Sequence, residues 1–201
     1  MTNKMQTLSF LQQQISIPAK QLIEPAPSAS QLEQILQAGM SAPDHGTLRP
    51  FRFLIIQGEA RQALSQVFAD ATLKRDPQVD EETLLKQQSK PLRSPMIIVV
   101  IARLSDTAKI PHIEQILSAG SAAQHIQLAC RSLGFGSIWL TGDNCYDMTV
   151  NEALGVDLQE RIVGFLYVGT PGPDAITTKA RAAASTITEH WEKPQHTDFA
   201  I

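Results

Sequence analysis

The chain has 201 residues, of which 43% are hydrophobic and 18% charged, enough for one domain with a sizeable buried core. A formal net charge of −3 and the lack of a basic stripe leave no electrostatic footprint for a phosphodiester backbone, so nucleic acid is not expected as a partner. The opening stretch Met1–Ile17 is broken by Gln12, Gln13 and Gln14, so it reads as neither a signal core nor a membrane span, and the expected location is cytoplasmic.

Met5, Leu8, Leu11 and Ile15 recur at helical spacing, and Pro18 stops that first helix. Ser30 with Glu33 forms an S-x-x-E capping box ahead of Leu32, Ile35, Leu36 and Met40, which predicts a second helix. Phe51–Ile56 reads as a strand, and the chain returns to helical spacing from Ala60 to about Leu73. Lys74–Arg93 is the most polar stretch, expected as a solvated excursion with a short helix around Glu81–Gln88. Met96–Ala102 is apolar without alternation, which predicts a central strand covered on both faces. A long helix follows over Pro111–Leu133. Its small residues Ala119, Gly120, Ser121 and Ala122 would let the same helix of a second copy approach closely across a two-fold axis.

Ser137–Leu140 reads as a strand, Met148–Leu154 as a helix closed by Gly155, and Ile162–Val168 as a second strand covered on both faces. Beyond Pro173 no sustained apolar face remains, so the tail is expected to wrap over something else rather than form its own core. About four strands and five helices in this order predict a single domain over 1–201, an α+β sandwich with a mixed central sheet flanked by helices.

Several chemistries lack their motifs. Gly134 and Gly136 follow a helix rather than a strand, and Trp139 stands where the third glycine of a dinucleotide fingerprint would be. There is no phosphate-binding G-x-x-x-x-G-K-[ST] loop and no G-x-S-x-G elbow. His45, His112, His125, His190 and His196 show no zinc spacing, so no metal is expected. Cys130 and Cys145 read as two free thiols, and His125 as a packed or interfacial residue. His45 follows Asp44 in a loop with Gly46, Arg49 and Pro50, which suits either a helix-terminating turn or a functional loop.

The segment Ala42-Pro43-Asp44-His45-Gly46-Thr47-Leu48-Arg49-Pro50-Phe51-Arg52-Phe53 resembles the loop A-P-S-x-x-N-x-Q-P-W-x-F of the nitroreductase family, with Ala42, Pro43, Pro50 and Phe53 identical. Gly134-Phe135-Gly136-Ser137-Ile138-Trp139 is similar to that family's G-[LF]-G-x-x-W, and Ile162–Pro171 to its late core strand and G-x-P turn. The likeness spans roughly Gln31 to Pro171 in order and spacing, nearest to the small bacterial NAD(P)H nitroreductases.

The resemblance implies a homodimer with FMN at an active site on the subunit interface. Hydride would pass from NAD(P)H to the flavin, then to a nitroaromatic, quinone or similar small-molecule acceptor in a ping-pong cycle. The flavin would carry the chemistry, so no catalytic side chain is assigned. Ser41 and His45 would approach a flavin held mainly by the other subunit, with Trp139, Leu140 and Thr141 bordering it from the strand. The family's N-terminal R-R-S, which grips the phosphate, is replaced here by Gln14-Ile15-Ser16. Gln14 and Ser16 are then expected at the phosphate, and Lys179 and Arg181, spaced like a K-x-R pair of larger members, are expected to supply the charge, with Arg49, Lys20 or backbone amides as the alternative sources. Two other outcomes fit the same resemblance: a flavin-binding protein with a degenerate pocket and no turnover, and a related flavin enzyme with a different reaction.

Overall fold

The run Met96–Ala102 lacks alternation because both of its sides are covered. In the computed structural model, which describes residues 2–191, this strand sends Ile97, Val99 and Ile101 into one core and Met96, Ile98, Val100 and Ala102 into another. Successive strand side chains point to opposite faces, so a strand buried on both must be apolar at every position. Met1 and residues 192–201, with His196 and the end of the predicted tail, lie outside the described residues.

The strands in chain order are β1 (Leu22–Ile23), β2 (Phe51–Gln57), β3 (Met96–Arg103), β4 (Gly136–Leu140) and β5 (Glu160–Pro171). They form one sheet in the order β1-β5-β3-β2, with β4 also paired to β5 beside the segment that meets β1. Every pairing is antiparallel, so the α+β class holds while the expected mixed sheet does not. A helix between two strands implies a parallel crossover only if the chain re-enters at the opposite end. Here Gln57, the last residue of β2, pairs with Met96, the first of β3, so the excursion between them leaves and returns at the same end.

Among the described residues six α-helices surround the sheet: α1 (Thr2–Gln12), α2 (Ala29–Gly39), α3 (Ala60–Arg75), α4 (Glu81–Gln88), α5 (His112–Ser132) and α6 (Met148–Ala153). Leu64, Phe68 and Ala71 of α3 and Val150 of α6 fill the core on one side; Ile35 of α2 and Ala119, Ala122, Ala123 and Ile126 of α5 fill the other. The capping box of α2 lies two residues earlier than expected. Ser28 Oγ accepts from Gln31 N–H and the Gln31 carboxamide oxygen accepts from Ser28 N–H, an S-x-x-Q that starts the helix before Ser30 can cap it.

The small residues at the centre of α5 also have a different role. Ala119, Ala122 and Ala123 are fully buried against the protein's own sheet, and Gly120 faces Trp139, so close approach is used within the subunit. The exposed apolar residues of α5 are Ile113 and Leu117, one turn apart, and α1 exposes Met5, Leu8 and Leu11. Residues 173–191 are almost wholly exposed, with a single 3-10 turn at Ala184–Thr186. Among the described residues no helix is long and apolar enough to cross a membrane.

Candidate functional site

Gly136 opens β4 where a Cβ would fall 2.7 Å from both Ile17 and Leu22 side chains, so only glycine lets the segment after α1 lie this close. Ile17 N–H donates to the Ser137 carbonyl at 3.0 Å, and this holds Gln14, Ile15 and Ser16 beside β4. The tail returns to the same place, where the Arg181 guanidinium donates to the Gln14 carbonyl. Gln14, Ser16, Lys179 and Arg181 thus line one cavity of about 810 Å³, together with Gln124 and Gln127 of α5 and Ile138 of β4. The Gln14 Oε1 atom is buried and has no hydrogen-bond partner. Four residues predicted from opposite ends of the chain are brought together.

Trp139 and Leu140 diverge, as neighbouring strand residues do. Trp139 packs with the α2 and α5 side, and Leu140 with the α3 and α6 side. Leu140 and Thr141 border a second cavity of about 200 Å³, shared with Lys90, Arg93, Asp143, Asn144, Phe165 and Tyr167. Burial, with Arg93 close by, pushes the Lys90 ammonium below the ordinary lysine range, and burial pushes the Tyr167 phenol up. Sequence reading missed Lys90 because it lies in the polar excursion, where a lysine looks like any solvated charge.

The loop after α2 forms a third group. Glu114, Ser118 and His125 lie on one face of α5, and each meets the loop two residues apart along the chain. His45 Nδ1 lies 2.8 Å from Glu114 Oε2, the Ser118 hydroxyl donates to the Pro43 carbonyl at 2.7 Å, and His125 Nδ1 lies 3.2 Å from Ser41 Oγ. Ser41 Oγ itself donates to the Ala38 carbonyl at 2.7 Å. Asp44 fixes the loop from within, accepting from Arg49 N–H at 2.7 Å. Arg49 faces a separate cavity of about 320 Å³ with Arg103, Asp157 and Glu160, so one subunit does not bring it to Gln14 and Arg181. Glu114 and Ser118 were legible only as polar positions four apart on a helix that carries several other polar residues.

No group of three or more His, Cys, Asp or Glu residues that could hold a metal occurs among the described residues. Cys130 and Cys145 are free and buried, and burial pushes each thiol up to about 12.

The model of the Nitroreductase family matches residues 22–170. An Escherichia coli (strain K12) protein named "Putative NAD(P)H nitroreductase YdjA" is 41% identical over 160 residues, covering 80% of this chain and 86% of that one. The crystal structure of a nitroreductase-like family protein from Bacillus cereus superposes with a TM-score of 0.78 at 24% identity, over 92% of this chain and 96% of that one. A Desulfovibrio desulfuricans protein solved in complex with FMN gives 0.70 at 23% identity, over 93% and 97% of the two chains. The family match, the fold and the order of the three sequence motifs agree: the chain belongs to the nitroreductase family.

Proposed function

We propose that this chain is an FMN-dependent NAD(P)H oxidoreductase, acting as a cytoplasmic homodimer with its active site at the subunit interface. Hydride passes from NAD(P)H to the flavin and then to a nitroaromatic, quinone or similar small acceptor. The observation that carries this reading is the cavity shared by Gln14, Ser16, Lys179 and Arg181. A dianionic phosphate needs cations and donors in one place, and this cavity offers two cations, a hydroxyl and several carboxamides. Gln14 Oε1 beside them is buried and has no partner among the described residues, a polar atom left for a bound group to satisfy.

Bound FMN supplies the hydride chemistry; the chain's own residues bind, orient and balance charge. Lys90 lies in the cavity bordered by Leu140 and Thr141, the residues that the family likeness sets beside the flavin, and an ammonium there would offset negative charge on a ring bound beside them. The exposed Met5, Leu8 and Leu11 of α1, with Ile113 and Leu117 of α5, favour a second copy as their cover. The tail from about residue 173 meets its own chain at Lys179 and Arg181, and its exposed remainder is read as lying over the partner subunit.

The test is direct. Purified protein incubated with FMN and desalted stays yellow at about one flavin per subunit, and NAD(P)H under nitrogen bleaches it. A yellow protein that NAD(P)H does not bleach would be a flavin binder without turnover; a colourless one would lack the cofactor altogether.

A further inference from the structure

The cavity bordered by Leu140 and Thr141 holds about 200 Å³, below the roughly 300–1,000 Å³ of pockets for drug-sized ligands, so its occupant is small. Its lining is of two kinds. Phe68 and Phe165 meet edge to face with ring centroids 5.6 Å apart, and with Leu140 they give the cavity an apolar wall. Lys90, Arg93, Thr141, Asn144 and Tyr167 bring donors to the same space. Several of these donors are unused. Among the described residues the Lys90 ammonium and the Tyr167 hydroxyl have no hydrogen-bond partner, although Tyr167 is only 3% exposed. Arg93 Nη2 donates to the Lys86 carbonyl and to Ser89 Oγ, both at 3.2 Å, while its Nε is buried and unpartnered. Buried donors are almost always paired, so a group of them left open around one cavity points to an acceptor that the chain does not supply.

The charges agree with that acceptor. Two cations line the cavity, and the exposed Asp143 is the only carboxylate in its described lining. Burial and the positive charges of Arg93, Arg75 and Lys86 hold the Lys90 ammonium below the ordinary lysine range, against the opposing pull of Asp143. Arg75 is already paired with Asp147. One positive charge in the lining is left over, and a monoanion matches it. We propose that this cavity binds a small organic monocarboxylate, its carboxylate on Lys90 and Arg93 and its apolar body against Phe68 and Phe165. A planar carboxylate accepts from a guanidinium and an ammonium at once. An apolar cavity of about 150 Å³ takes up benzene, so this one accommodates a ring of that size together with the carboxylate. The site goes beyond the flavin reading and does not depend on it.

Benzoate is the probe, titrated calorimetrically into the purified protein in a low-salt, acetate-free buffer, once as isolated and once saturated with FMN. It saturates one site per chain below about 10 mM. Benzyl alcohol, which keeps the ring and loses the charge, and acetate, which keeps the charge and loses the ring, each bind at least tenfold more weakly. Lys90→Met weakens benzoate at least tenfold, and Lys90→Arg retains it. Replacing both Lys179 and Arg181 with alanine leaves benzoate unchanged, because those cations line a different cavity. Absence of saturation, equal binding of either analogue to the parent, or equal benzoate binding by parent and Lys90→Met overturns the site. Displacement of benzoate by FMN also overturns it, since the cavity then belongs to the cofactor. A protein that takes up no FMN fails the flavin reading alone, and benzoate binding to it still decides this one.

Discussion

The indole Nε1 of Trp139 donates to the Val163 carbonyl at 3.2 Å, at the point where the pairing of β5 with β3 is irregular. Val100 pairs with Gly164 and Ile101 with Ile162, so Val163 is the extra residue of a bulge. The bulge explains why Ile162 and Leu166, four residues apart on one strand, enter different cores. A Cβ on Gly164 would fall 2.0 Å from the same indole nitrogen. Gly164→Ala therefore displaces Trp139 and costs about 1–3 kcal/mol as an overpacked core. Near-ultraviolet circular dichroism and a urea melt, both in a Trp191→Phe background so that Trp139 is the single reporter, measure it; an unshifted spectrum with unchanged stability would contradict this packing.

Glu160 is buried and takes a two-pronged contact from Arg52, at 2.8 and 2.7 Å, with Arg103 at 3.7 Å. The hydrogen bonds from Arg52 hold the Glu160 carboxyl below the usual carboxylate range. A depressed carboxylate contributes stability above its unfolded value near 4.3 and loses it as pH falls through the lower folded value. Arg52→Ala should cost about 2 kcal/mol at pH 7, less than for a fully enclosed pair because Arg52 is partly exposed. Urea melts at pH 7 and at pH 3 provide the check. The gap between parent and variant narrows at the lower pH, and a gap that widens there would refute the assignment.

Lys179 and Arg181 share a cavity with Gln14 and Ser16, and charged hydrogen bonds are worth roughly 1.5–3 kcal/mol each. Replacing both with alanine is expected to weaken FMN binding by about a hundredfold. Riboflavin, which lacks the phosphate, should bind parent and variant alike. Calorimetric titration with the two flavins separates the outcomes: equal losses for both would mean that the tail supports the pocket's shape and does not bind the phosphate.

Both thiols are pushed up to about 12 by burial, which leaves about one part in ten thousand as thiolate at pH 8. Neither Cys130 nor Cys145 should react with Ellman's reagent in the folded protein on a timescale that labels both in urea. Prompt labelling of one thiol would show an opening near it. On the proposed flavin reading, the Cys130→Ser, Cys145→Ser double variant should keep its rate of NAD(P)H oxidation per bound flavin, because hydride transfer would use the cofactor and not a thiol.

Most of the elements were legible because they rest on local chemistry; the two-residue strand β1 was not, since a pair held only by its partner strand leaves no local pattern. The short helix expected around Glu81–Gln88 is α4 to the residue, with Asp80 accepting from Thr83 N–H at its start. Met96–Ala102 could be read as a doubly covered strand because period-two geometry demands apolar residues on both faces. The family likeness was equally visible, since it lies in short contiguous motifs around Ala42, Gly134 and Ile162. Strand direction was not, because nothing local to Gln57 or Met96 says that the chain returns to the end it left. Nor was the use of the small residues in α5, since close packing on a sheet and on a second helix call for the same side chains. The meeting of Gln14 with Arg181, 167 positions apart, and of His45 with Glu114, 69 apart, came only from tertiary structure. Contacts between residues so distant in sequence leave no trace in spacing or periodicity; the packing of the intervening chain alone sets them.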